Sequence, residues 1–160
     1  RSNDDPNSVA GAVGVSFELR DHTADVAVEA EADTLGGVFA ALADGMAAAM
    51  ADEIPDGGER FAVEERAESR EAALYDYLDR LLYERDVRGV LPVDNDATVR
   101  EVEGAGSGDG ASEWVVDATA RGVPLADVHA RDLKAVTYSQ MDLSRPAGSD
   151  GWHGYVVFDV

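Results

Sequence analysis

Apolar residues recur along the chain with two different periods. Phe17 and Leu19, then Val26, Val28 and Ala30, alternate with polar residues on either side of a turn at residues 21–25, the pattern of two β-strands. From Leu35 the spacing becomes helical. Leu35, Val38, Phe39, Leu42, Met46, Ala49 and Met50 share one face, with Thr34 as N-cap, and Pro55 with Gly57–Gly58 ends the run. Phe61, Val63 and Ala67 predict a short third strand. Ser69 then caps a second helix, which places Leu74, Tyr77, Leu78, Leu81 and Leu82 on one face and Gly89 just past its end. The remainder reads as strands over residues 90–102 (disrupted at Pro92 and Asp94–Asp96), 114–122, 133–143 and 154–159, with the Gly/Ser/Asp stretch 104–111 as a hairpin tip. The order β-β-α-β-α-β-β-β-β predicts a single α+β domain over residues 15–160. In it, two helices pack on one face of a mostly antiparallel mixed sheet. Residues 1–14 show no period and read as a flexible N-terminal tail.

Composition sharpens this picture. The 160 residues contain no cysteine, which excludes disulfides, thiolate metal sites and a cysteine nucleophile. No stretch approaches the ~20 apolar residues of a membrane span, and no signal-peptide pattern is seen, so a cytoplasmic protein is expected. Asp plus Glu number 33 against 13 Lys plus Arg, a net charge of −20. A carboxylate surface this dense is typical of proteins that work in high salt, where screening relieves the self-repulsion. It also disfavours direct contact with nucleic acid or anionic membranes, which require basic patches.

Several motif matches fail on context. Gly104–Gly110 resembles a phosphate loop but has no following lysine or helix. Asp94-Asn95-Asp96 begins like an EF-hand loop, but Val99 and Ala105 stand where its glycine and glutamate belong. His22, His129 and His153 are scattered, without metal-ligand spacing. Three features remain. Asp21-His22-Thr23-Ala24-Asp25 packs two carboxylates and an imidazole into a turn, either an Asx-turn or a hard-cation site using Asp25. Lys134 is the sole lysine among the 13 basic residues. It lies near His129 and Arg131, and is either an accident of composition or a site that needs a compact ammonium rather than a guanidinium. The sequence closes on Phe158-Asp159-Val160, where Asp159 and a terminal carboxylate on Val160 either bind a cation or belong to a frayed strand end.

Taken in register, four segments resemble the archease family: His22-Thr23-Ala24-Asp25, the helix from Glu71-Ala72-Ala73-Leu74 to Leu81-Leu82-Tyr83, Lys134-Ala135-Val136-Thr137-Tyr138, and Val157-Phe158-Asp159-Val160. The resemblance covers roughly Ser16 to Val160. It departs at Ser139 and Gln140, where the family usually has a histidine after the tyrosine. The resemblance implies a non-enzymatic activator of the RtcB-type RNA ligase, which joins tRNA exon halves in tRNA splicing. The activator promotes guanylylation of the ligase by GTP and its multiple turnover. It further implies a divalent cation, calcium in most assignments with magnesium or manganese as alternatives, held by Asp25, Asp159 and Val160. Lys134 matches a lysine implicated in activation, and His22 and His129 are further candidates.

Two other classes stay open on the residues alone. One is a metal-dependent hydrolase built on Asp25, Asp159 and His22, against which the lack of a second histidine or paired base counts. The other is a chaperone-like scaffold that uses its acidic surface and sheet edges.

Overall fold

The strands pair into two sheets, each antiparallel throughout. In the computed structural model, residues 13–19, 24–103 and 112–160 are described. A four-stranded sheet has the order β1 (Val13–Leu19), β2 (Ala24–Ala32), β7 (Trp152–Asp159), β6 (Ala135–Ser144). A three-stranded sheet has the order β3 (Glu59–Ala67), β5 (Ser112–Pro124), β4 (Val90–Glu103). The element order and α+β class are those the sequence predicts. The single mixed sheet is replaced by two sheets, because β3, β4 and β5 pair only with one another. β1 starts at Val13, two residues before the periodicity places the domain. The hairpin tip at 104–111 lies outside the described residues, but Glu103 pairs with Ser112 on either side of it.

Each helix begins where a side chain can replace the missing backbone acceptor. Thr34, extended at φ −125°, accepts the Gly37 N–H at 3.0 Å and opens α1 (Leu35–Met50). Ser69 accepts the Ala72 N–H at 3.0 Å and opens α2 (Arg70–Arg88), which Gly89 closes at φ +67°. α1 touches β1, β2 and β7 of one sheet and β4 of the other; α2 touches β3, β4 and β5 and also β6. The helices therefore fill the space shared by the two sheets. Gly36 permits this, since a methyl group there would collide with the Ala97 carbonyl of β4.

Phe39, Leu42 and Met46 of α1, Leu74 and Tyr77 of α2, and Phe158 of β7 are fully buried. Each large apolar side chain of this kind contributes about 1.5–3 kcal/mol. At one end of the molecule the sheets are also joined through Arg70. Its guanidinium lies 5.7 Å from the Trp114 ring on β5 and 5.1 Å from the Trp152 ring on β7, and Arg145 lies 4.9 Å from Trp152. No described helix is long and apolar enough to cross a membrane.

Candidate functional site

At the other end of the four-stranded sheet, β2 begins where β7 finishes. Asp25 is the direct cross-strand partner of Asp159. Directly opposed residues share one face of a sheet with Cβ atoms about 5 Å apart. Asp25 is half-buried and Asp159 is exposed. On the far side of β7, Ala135 pairs with Asp159, and the Lys134 N–H donates to the Asp159 carbonyl at 2.8 Å. Asp25, Asp159 and Lys134, widely separated in sequence, are thus brought to one end of three adjacent strands. Val160 follows directly and is 38% exposed.

The segment leading into β6 is held in place by two arginines. The Arg131 N–H donates to the Met50 carbonyl at 2.7 Å, and its guanidinium reaches the Ala49 carbonyl and Asp52. These bonds satisfy carbonyls that the end of α1 leaves open, and they place positive charge at its negative pole. Arg85, buried in the last turn of α2, donates to the Leu133 carbonyl at 2.8 Å and touches the Met50 sulfur. Leu133 is buried, while Lys134 is exposed. The backbone of Lys134 is consequently fixed and its side chain faces solvent.

The remaining candidates do not join this group. His129 is exposed and lines a cleft of about 440 Å³ with Asp52, Glu53, Ile54, Pro55, Asp127 and Val128. His22 lies outside the described residues. Among the described residues no three His, Asp or Glu side chains converge as a metal cage. Two opposed carboxylates suit a hard cation, which takes oxygen ligands at 2.3–2.6 Å. In this arrangement main-chain oxygen, such as that of Val160, and water would complete the shell.

Local sequence does not single out the arginine anchors, although an arginine in the last turn of a helix is a general signal of C-terminal capping. Nor does it reveal His153 on β7. That ring bonds Glu29 of β2 at 2.8 Å and faces Asp142 of β6 at 3.5 Å. Partial burial opposes its charge, but the two carboxylates outweigh this and raise its pKa above the ordinary histidine value.

Fold and site together define an α+β protein with two helices against two antiparallel sheets, and an Asp–Asp–Lys row at the end of one sheet. The archease protein family (MTH1598/TM1083) matches residues 17–160, and the chain belongs to that family. It is 31% identical to the protein archease of Methanosarcina acetivorans over 159 residues, covering 92% of this chain and 97% of that one. It is 32% identical to the protein archease of Methanosarcina mazei over the same shares. Among solved structures, Methanobacterium thermoautotrophicum protein 1598 superposes with a TM-score of 0.65 at 26% identity, covering 92% of this chain and 99% of that one. The Thermotoga maritima archease, described as a possible chaperone, superposes with a TM-score of 0.56 over 89% of this chain and 96% of that one. At 20% identity this second likeness shows the fold alone.

Proposed function

We propose that this chain is an activator, not an enzyme, and that its client is an RtcB-type RNA ligase acting on tRNA exon halves in the cytoplasm. It promotes guanylylation of the ligase and its repeated turnover. The observation that carries this reading is the register that sets Asp25 opposite Asp159, with Lys134 bonded to the same residue. In the reading, Asp25, Asp159 and the main-chain oxygen of Val160 hold one divalent cation; oxygen donors suit calcium, magnesium or manganese alike, and calcium is the choice the family resemblance implies. The cation neutralises two like charges and pins the end of β7 to β2. Lys134 then presents an ammonium beside a neutralised centre, a compact donor for a phosphate or carboxylate of the ligase. Activation follows if this end binds one ligase state more tightly than another.

The test is a ligation time course in high salt, with limiting ligase, GTP, a divalent metal and excess cleaved tRNA halves. Product should rise from about one per ligase to many only when this protein is present. Unchanged product with folded protein overturns the reading.

A further inference from the structure

Tyr138 lies flat on Tyr75, with ring centroids 5.0 Å apart and planes inclined by 14°. It is nevertheless 51% exposed. The cause lies in β6, which loses register with β7 between Thr137 and Asp142, while Gln140 takes φ +67°, a left-handed conformation unfavourable for a side chain other than glycine. The bulge sets Tyr138 apart from the β7 ladder and against α2. Along α2, Tyr75, Asp79, Tyr83 and Val87 recur every four residues and form one ridge. Tyr83 and Val87 are 59% and 62% exposed, the most exposed large apolar side chains among the described residues. Tyr75 meets Tyr138 while Arg85 meets Leu133, so α2 and β6 run in opposite directions and the ridge leads toward the end that carries Lys134.

The charge around this ridge is negative. After burial, the carboxylates of Asp76, Glu71 and Glu68 raise the Tyr138 pKa above the ordinary tyrosine value, against a hydrogen bond with Ser69. Asp76 is itself raised, by burial and then by Glu65 and Asp79. The arginines in the middle and last turns of α2 are engaged elsewhere: Arg80 pairs with Glu84 and with Glu65 of β3, Arg85 donates to Leu133, and Arg88 pairs with Glu84 and lies over the Phe61 ring of β3. Such a field repels a phosphate backbone and opposes pairing with a second, identical face. It favours a protein whose arginines or lysines flank an apolar groove. A guanidinium can stack on a tyrosine face while it pairs with nearby carboxylates.

We infer that the ridge formed by Tyr138 on Tyr75, then Tyr83 and Val87, is a docking surface for a protein partner that presents arginine or lysine side chains around an apolar groove. In its choice of partner the inference rests on the activator reading, and the occupant is the RtcB-type ligase. Docking there lays the partner along α2 and brings it to the Asp25–Asp159–Lys134 end.

The experiment measures the Kd of purified ligase for this protein in matched high salt, alongside turnover and the sedimentation mass of the protein alone. Tyr138→Ala, the pair Tyr83→Ser with Val87→Ser, and the pair Glu71→Lys with Asp76→Lys should each weaken binding at least tenfold. They should raise the concentration needed for half-maximal activation while leaving turnover at saturation intact. The Tyr83/Val87 pair keeps the test sound, because both side chains face solvent and their loss should leave circular dichroism and the thermal midpoint unchanged. Wild-type affinity in these variants, with ligase still bound and activated, overturns the inference alone. A change in the protein's own mass in place of ligase affinity overturns it in favour of self-pairing. No binding and no activation by the wild type overturns both readings. Binding without activation, lost in the ridge variants, supports the docking surface and overturns the activator reading.

Discussion

The backbone of Lys134 is bonded to Asp159, and its side chain is left to solvent. Position and chemistry are thereby separable at this residue. Lys134→Ala should keep the backbone bond and change stability by no more than about 0.5 kcal/mol, as for an ordinary surface substitution. Under the activator reading it should abolish multiple turnover. Lys134→Arg keeps the charge but changes its shape, and partial loss is expected. Turnover and thermal unfolding measured together check both halves; full turnover by Lys134→Ala would mean the lone lysine is incidental.

Asp25 and Asp159 provide the second prediction. A ligand that binds only the folded protein raises its stability by RT ln(1 + [L]/Kd), about 2.7 kcal/mol at a hundredfold excess over Kd. Calcium at constant ionic strength should raise the thermal midpoint of the wild type, and a chelator should reverse the rise. Asp25→Ala should remove most of the calcium response and retain the fold. An equal calcium response in both proteins rules out the carboxylate pair as the site.

Arg85 supports the site from below. It is the buried donor to the Leu133 carbonyl, immediately before Lys134. Arg85→Ala leaves that carbonyl without its partner, at a cost of about 1–3 kcal/mol. The loss should appear as a lower denaturant midpoint and a raised half-saturating concentration in ligation. Because Arg131 still holds the start of the segment, turnover should fall partly rather than completely.

His153 gives the protein a pH-dependent contribution on the same sheet. Its folded pKa lies above the unperturbed value of about 6.5. The stabilisation by Glu29 and Asp142 is therefore fully present below that unfolded value, and it is lost as pH rises through the raised folded pKa. Thermal midpoints should fall as pH climbs above about 6.5. His153→Gln should flatten this slope, and high salt should reduce it in the wild type. Identical slopes for wild type and variant would assign the dependence to other groups.

How far the sequence could be read varied with the range of the interaction that decides each feature. Thr34, Ser69 and Gly89 fall where helix ends demand them, because a cap is settled within four residues. The disruption after Pro92 is equally local and appears as the bulge between Val93 and Asp96, with Asp94 at φ +48°. In β6 the span from Leu133 to Leu143 reads as one alternating strand, yet its apolar positions move from Val136 and Tyr138 to Met141 and Leu143 across the polar pair Ser139-Gln140, where the ladder skips between Thr137 and Asp142. Alternation specifies a face and not a partner, so this phase change marks a break in the strand without saying which residues of β7 lie opposite it. Division into two sheets and the opposition of Asp25 to Asp159 are long-range pairings that no local period encodes. Resemblance to a family links those two aspartates; their spacing does not.

The chain's two tryptophans share a single stack, with Arg70 between Trp114 and Trp152. Trp152 pairs with Ala32, seven positions along the ladder from the Asp25–Asp159 pair, or about 23 Å at the rise of an extended strand. The intrinsic emission of the protein therefore originates at the seam between its sheets and far from its candidate chemistry. Parting of the sheets would release both indoles from the guanidinium and shift the emission together. Occupation of the opposite end by a cation would leave the spectrum still. This gives the protein a built-in optical gauge of its own integrity, readable at any salt concentration without a label.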